Sequence, residues 1–332
     1  MPQYKSVAIY QCKNLGDSLL TTPLVNALLT SEKFSKISVI CKPESSVVFD
    51  LWDDQINVYD KPRNVFGLFI LALKIKPDLV FLPHRSTLGL VFARFGRSVC
   101  ISEDAVSIPF FGSARVLPPL MLPWRHAADR HLDLYRAIGG TVRENDRKIH
   151  IGDLVISGDL GEFFLPRSYV VIHPGSRWMF KTPSYSFWAT VIKALLVKNL
   201  KVVITGSDLG EEGLLIERLS RQFEVISLSG KTSIKQLATV IARSDGYLGV
   251  DTFATHLAAA CGTKGLALYG PTSDLIWGPF GVTSRLRVVK SKNYPCIPCH
   301  ADGCGGSKRS DCLDLLSAEM VADTFIQELR RV

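Results

Sequence analysis

The sequence predicts an α/β protein of two doubly wound domains facing a cleft, each a parallel sheet covered by helices. Three observations carry this expectation. Short strands that are apolar throughout recur along the chain, separated by segments of helical length and spacing. A strand without polar alternation is buried on both faces, which is the condition of a parallel sheet flanked by helices. The alternation runs twice, and 332 residues exceed the roughly 100–200 residues of a single domain.

In the first half, Ser6–Cys12 reads as a buried strand, a polar turn containing Gly16 follows, and Ser18–Leu29 has helical apolar spacing. Further strands are expected at Ile37–Cys41, Ile56–Tyr59, Asp78–Pro83 and Val99–Ser102, with helices over Asn64–Ile75 and Thr87–Phe95. Between about Ala105 and Asp159 the pattern is interrupted by Pro109, Pro118, Pro119 and Pro123. It restarts with strands Tyr169–His173, Lys201–Thr205, Glu224–Leu228, Gly246–Val250 and Gly265–Tyr269. The intervening helices are Tyr185–Lys198, Glu211–Gln222, Ile234–Arg243 and Ala254–Cys261. Ser317 opens a terminal amphipathic helix with a capping-type start. The expected division is therefore residues 1–158, 159–316 and a terminal helix over 317–332.

Composition excludes several classes. Hydrophobic residues at 47% and aromatics at 9% argue against disorder, and Gly and Pro are scattered without period. The longest apolar run, Val65 to Leu73, stops at Lys74, short of the roughly 18 residues of a membrane span. Met1 to Ser6 holds no apolar signal core, so a cytosolic location is expected. A net charge of +8 favours anionic partners without naming them. Of eight cysteines, Cys12, Cys41, Cys100 and Cys261 sit singly in apolar segments and read as buried thiols. Cys296, Cys299, Cys304 and Cys312, spaced C-x2-C-x4-C-x7-C with His300 beside them, are the one set with metal-ligand spacing; a structural zinc knuckle and a Cys-rich loop of free thiols or facile disulfides are the two readings.

Two glycine-containing segments are decoys. Gly206, Gly210 and Gly213 follow a strand but miss the G-x-G-x-x-G spacing of a dinucleotide site, and Gly230-Lys231-Thr232 lacks the earlier glycine of a P-loop, having Val225 there. Three other segments carry more. Lys13-Asn14-Leu15-Gly16-Asp17 puts a carboxylate at a strand-to-helix junction, where it serves as a general base or merely caps the helix. His173-Pro-Gly-Ser176, followed by Arg177 and Lys181, reads as a phosphate cradle or an ordinary turn. Asp251-Thr252-Phe253-Ala254-Thr255-His256 starts a helix whose free amides and dipole favour an anion, although a core histidine also explains His256.

Together these segments, with Pro23 and Leu268-Tyr-Gly-Pro-Thr272, resemble glycosyltransferase family 9, the bacterial heptosyltransferases of lipopolysaccharide core assembly with the GT-B fold of two Rossmann-like domains. The cysteine-containing segment Cys296 to Leu313 is most similar to the heptosyltransferase III branch. The resemblance implies an inverting transfer of heptose from ADP-heptose to a hydroxyl of the lipid-linked core, without a catalytic cofactor or metal. It implies an N-terminal acceptor domain and a C-terminal donor domain, with Asp17 as general base. Ser176, Lys181, Asp251, Thr252 and His256 would hold the donor, and Lys13, Gly16 and Arg125 the acceptor. Peripheral contact with the inner membrane and no nucleic-acid partner are implied by the same likeness. Arg130, Arg136, Arg143 and Arg147 are further acceptor candidates or a solvated basic face. Two departures stand out: Phe253 replaces a glycine, and Val225–Leu228 offers no carboxylate for the donor ribose. A non-catalytic nucleotide-sugar-binding protein on a GT-B-like scaffold, or a GT-B enzyme of other donor specificity, are the alternatives.

Overall fold

The computed structural model describes residues 4–52, 54–103, 107–108, 112–113, 115–116, 125–152, 159–161 and 163–331. The interrupting prolines Pro109, Pro118, Pro119 and Pro123, and the boundary expected at 158, lie outside these residues. The chain divides into two units, Met1–His150 and Ile151–Val332.

In the first unit, β1 (Ser6–Gln11), β2 (Lys36–Cys41), β3 (Asn57–Asp60), β4 (Leu79–Leu82), β5 (Val99–Ser102) and β8 (Arg115–Val116) form one sheet in the order β3-β2-β1-β4-β5-β8. All its pairings are parallel. A two-stranded antiparallel sheet of β6 (Ser107–Ile108) and β7 (Gly112–Ser113) accompanies it. The second unit repeats the winding with β9 (Val170–His173), β10 (Val202–Ile204), β11 (Ile226–Ser227), β12 (Gly246–Val250), β13 (Gly265–Leu268) and β14 (Leu286–Val289), ordered β11-β10-β9-β12-β13-β14. Each sheet thus has the doubly wound order 3-2-1-4-5-6, as expected. The first strand is central in both, and its residues Val7–Tyr10 and Val170–Ile172 are buried.

Local sequence sets the helix ends. In the first unit the helices are α1 (Leu15–Leu19), α2 (Thr22–Thr30), α3 (Val65–Ile75), α4 (Thr87–Gly96) and α5 (Ala127–Arg136). The second has α6 (Tyr185–Val197), α7 (Gly210–Gln222), α8 (Ile234–Ala242), α9 (Phe253–Ala260), α10 (Asp274–Trp277), α11 (Asp311–Asp314) and α12 (Ala318–Arg330). Side-chain oxygens of Asn64, Ser86, Ser184, Ser233 and Ser317 accept the N–H three residues on, satisfying donors that have no intrahelical partner.

Of the elements that differ from expectation, three have a plain physical reason. The helix expected over Ser18–Leu29 is two helices, because Pro23 lacks the N–H that continuity would need and is tolerated only in the first turn of α2. The hydroxyls of Thr21 and Thr22 donate instead to the carbonyls of Asp17 and Leu19, at 2.9 and 2.8 Å. Helix α5 lies in the stretch read as interrupted; it buries Asp129 and His131 beside Leu132 and Leu134, so its inward face carries no clean apolar stripe. Strand β14 is not expected from the sequence, because it is an edge strand with only Val289 buried.

Candidate active site

In both units the loops that carry chemistry leave the carboxyl ends of the first and fourth strands, where the strand order reverses. In the first unit the chain leaves β1 at Gln11 and turns into α1 after Asn14. The Oδ2 of Asp17 accepts the Asn14 N–H at 3.1 Å, so the residue does cap its helix. Its Oδ1 lies 3.7 Å from Nε2 of His84, which follows β4; both side chains are about five-sixths buried, at 17% and 16% exposure. One oxygen thus serves the helix start while the other faces a titratable ring.

Behind Asp17 lies a buried polar network that sequence reasoning missed. The Gln11 amide donates to Thr21 Oγ1 at 2.7 Å and lies 3.2 Å from His84 Nε2, while its carbonyl oxygen accepts from the Lys13 N–H. With the amide so oriented, neutral His84 accepts at Nε2. Its ring meets that of His131 edge-on at 5.1 Å. His131 Nδ1 lies 3.1 Å from the Leu20 carbonyl oxygen, which can only accept, so Nδ1 carries the proton. Its Nε2 faces Glu103 at 3.6 Å, and Glu103 is ion-paired with Arg130 at 3.0 Å. Burial, with the nearby charges of Lys13 and Arg130, holds His84 down to about 3. Burial and the His84 ring hold His131 well below the usual imidazole range. Both rings are therefore uncharged near neutrality, and the His84 ring adds no positive charge beside Asp17.

Of the expected acceptor residues, Gly16 and Lys13 belong to this cluster, the latter through its field on His84. The guanidinium of Arg125 is instead held by Asp133 at 2.6 Å, and Asp133 also takes Arg136 at 2.7 Å. Arg147 forms a two-pronged pair with Asp129, both bonds 2.8 Å. The basic face expected at the end of this unit is thus largely neutralised by its own acids.

In the second unit, β9 ends at His173 and the chain runs through Pro174, Gly175 and Ser176 to a short 3-10 turn, Met179–Lys181. Lys181 Nζ donates to Asp251 Oδ2 at 2.7 Å, and Thr272 Oγ1 donates to the same oxygen at 2.7 Å. Asp251 is 6% exposed. A carboxylate is a poor direct partner for a diphosphate; here it joins Lys181, Thr272 and the start of α9, three of the segments singled out in the sequence. Thr252 is the N-cap residue of α9, Phe253 its first helical residue, and His256 is buried one turn in. Ser176 is buried, and its Oγ accepts the Trp178 N–H at 3.2 Å. His173 shares a hydrogen bond with Thr205 at 3.0 Å and is held down to about 4 by burial.

The glycines of this unit keep the loops close to the sheet. A Cβ on Gly175 would meet Glu212 Cγ at 2.5 Å, and one on Gly213 would meet the Asp208 main-chain oxygen at 2.3 Å. Asp208 lines a groove of about 580 Å³ together with Ser227, Ser229 and Arg221. It supplies a carboxylate beside the end of β11, where Val225–Leu228 offers none; its signal was hidden in the glycine decoy.

Among the lone cysteines, Cys41 and Cys100 are buried, while Cys12 and Cys261 are half-buried. Burial pushes the thiols of Cys41, Cys100 and Cys261 up to about 12 and that of Cys12 to about 11. Cys296, Cys299 and Cys304 are exposed, and Cys312 is buried. Burial, with the charges of Cys304, Cys299 and Cys296, raises Cys312 to about 11. Among the described residues, however, no three His, Cys, Asp or Glu side chains are arranged to hold a metal ion.

The two doubly wound units, with a carboxylate after the first strand of one and a lysine-anchored helix start in the other, define a GT-B glycosyltransferase. Residues 120–308 match the model of glycosyltransferase family 9 (heptosyltransferase), and the chain belongs to that family. It is similar to lipopolysaccharide heptosyltransferase 3 of Escherichia coli strain K12, at 23% identity over 85% of this chain and 87% of that protein. Its fold is shared with a family 9 glycosyltransferase from Veillonella parvula (TM-score 0.78, 21% identity, 99% and 98% of the two chains). It is likewise shared with E. coli heptosyltransferase WaaC with ADP (TM-score 0.71, 16% identity, 97% and 99%).

The buried neutral histidines make an acid-stability prediction. Between pH about 6.5 and about 4 the unfolded chain takes up protons that folded His84, His150 and His173 refuse, because burial lowers these groups to about 3, 4 and 4. A depressed imidazole contributes stability above its unfolded value and loses it as pH falls. The loss is at most about 1.4 kcal/mol per pH unit for each histidine. Urea unfolding across this range should show a shallower decline for His84→Asn than for the parent; an unchanged slope would place the effect elsewhere.

Proposed function

We propose that the protein is an inverting heptosyltransferase that moves heptose from ADP-heptose to a hydroxyl of a lipid-linked lipopolysaccharide core, with Asp17 as the base. The observation that supports this reading most is the Asp17 carboxylate, fixed by its own helix start through one oxygen and flanked at the other by an uncharged His84. A protonated imidazole there would pair with the carboxylate and weaken it as a base; a neutral one does not. Inverting transfer needs one group to take the acceptor proton and positive groups to meet the charge growing on the departing diphosphate. Lys181, held by Asp251, and the free amides at the start of α9 serve the second need. Ser176, Thr252 and His256 belong to the same loop ends.

The likeness to heptosyltransferase 3 favours the core as acceptor and the III branch as specificity. WaaC with ADP favours an adenosine diphosphate donor. No described helix is long and apolar enough to cross a membrane. We place the enzyme in the cytoplasm, in peripheral contact with the membrane that carries its acceptor, with no nucleic-acid partner and no catalytic cofactor. A structural zinc on Cys296, Cys299, Cys304 and Cys312 remains part of the proposal. It requires the three exposed thiols to draw in around Cys312, since they form no ligand shell in this conformation.

Asp17→Asn keeps an acceptor for the Asn14 N–H, so the fold should hold while ADP release with donor and core acceptor falls roughly 100- to 10,000-fold, the range of general base catalysis. A folded variant that keeps most of its rate would refute the assignment, and a parent releasing no ADP would favour the non-catalytic alternative. Lys181→Ala should weaken ADP binding by about 1.5–3 kcal/mol, the worth of a charge-assisted bond. It also strands the buried Asp251 carboxylate, so Lys181→Arg is the companion that should restore both stability and part of the affinity. Calorimetric affinity unchanged in the alanine variant would move the lysine out of the donor site. Purification without chelator should yield about one zinc per chain, removable without loss of transfer rate; zinc-free protein would dismiss the knuckle.

A further inference from the structure

One feature of the first unit serves neither its core nor the site. Helix α3 buries Leu68, Ala72 and Ile75 against the sheet but turns Val65, Phe66, Phe69, Ile70 and Leu73 outward, exposed by 54, 71, 38, 51 and 42%. A helix on a sheet of a soluble protein ordinarily carries polar residues on that side. Phe69 packs edge-on against Phe95 of α4 at 5.1 Å, which joins the stripe to the neighbouring helix, and Leu88 of α4 is also exposed. A continuous apolar face of this kind marks an interaction surface.

Charge identifies the occupant. From Lys61 to Ser102 the chain carries seven lysines and arginines and one acid, Asp78. Asp78 accepts the N–H groups of Lys5 and Ser6 at 2.8 and 2.9 Å, tying it to the start of β1. Arg63, Lys74, Lys76, Arg94 and Arg97 are exposed, and none has an ion pair among the described residues. An apolar stripe on a segment this rich in cations repels a second copy of itself across a two-fold contact. It matches a surface that is apolar inside and anionic outside, where aromatic and aliphatic side chains enter and Lys and Arg stay at the headgroups. At the N-terminal end of α3 the cations continue inward: a cavity of about 300 Å³ is lined by Lys42, Lys61 and Arg63 beside Val65 and Leu88, reaching Tyr10 of β1.

We infer that the outward face of α3, with Leu88 of α4, docks this protein on an anionic phospholipid surface. The inference rests on the reading of a lipid-borne acceptor and names the surface that would bring the first unit to it.

Sedimentation with acceptor-free vesicles of phosphatidylglycerol and phosphatidylethanolamine tests it, against vesicles of phosphatidylcholine. The parent chain should bind the anionic vesicles, release with rising salt, and bind phosphatidylcholine much less. Phe66→Ser with Ile70→Ser should lower partitioning by about tenfold or more. Lys76→Asn with Arg94→Gln should lower it on anionic vesicles alone. Both variants alter exposed positions, so their melting temperatures and their transfer rates on detergent-solubilised acceptor should match the parent. Equal binding to both vesicle types, or unchanged binding by the apolar variant, overturns the inference. So does a concentration-dependent dimer that the apolar variant abolishes, which would give the face to a second copy. Vesicle binding by a chain that transfers no heptose would leave this inference standing and sink the proposed reaction; transfer without vesicle binding would do the reverse.

Discussion

The burial of the first strand of each sheet on both faces is the constraint on which the rest of the molecule depends. Ser6–Gln11 and Val170–His173 lie centrally, with parallel neighbours on either side. The connection from each goes one way and the chain later returns to its other flank, so the loops after strands one and four diverge and leave a gap at the carboxyl edge. Helix starts converge on that gap and bring free N–H groups with them. Asp17 and His84 fill it in one unit, and Lys181, Asp251 and the start of α9 in the other. No separate scaffold is needed for either set; both arise from the winding.

What distinguishes the two sets is how each handles charge in a poorly solvated place. The second unit matches its buried carboxylate directly: Asp251 takes Lys181 and Thr272 on one oxygen. The first unit sets a neutral ring beside Asp17 and backs it with groups that stay uncharged. Hydrogen bonds join Gln11 to Thr21 and His84, and Thr21 to His131, while His131 Nε2 makes none and faces Glu103, which is matched by Arg130 at the far side of the chain of contacts. Burial, with Lys13 and Arg130 adding to it, costs a charged imidazole more than a carboxylate at 3.7 Å returns. A carboxylate flanked by a neutral ring is suited to accepting a proton; one clamped by an ammonium is suited to holding that ammonium in place.

Most of the fold was legible because buried parallel strands write themselves as apolar runs and their helices as capped, periodic segments. Where a helix buries polar groups or a strand is marginal, as in α5 and β14, that signal vanished. The site was legible only where it is local in sequence. Lys13, Gly16 and Asp17 share one loop, and Asp251 through His256 share another. His84 and His131 reach Gln11 and Thr21 from 73 and 110 residues away, and neither carries a local motif. The fate of the arginines was also hidden, since it depends on where α5 presents Asp129, Asp133 and Arg130 to Arg147, Arg125 and Glu103, which come from outside the helix.

That pairing changes what the net charge of +8 means. By composition, the arginine-rich stretch near the end of the first unit is the natural place for an anionic partner. In the folded chain Arg125, Arg130, Arg136 and Arg147 each meet a carboxylate within 3.0 Å, so this stretch presents far less field than its composition suggests. The acid-poor segment of α3 and α4 lacks such internal compensation, with its one aspartate bound to main-chain amides. A surplus of charge acts where it is left uncompensated, and here that is beside the exposed apolar face of α3. Two terms that are weak separately, desolvation of a modest apolar stripe and attraction of a few screened cations, therefore fall on one face and add.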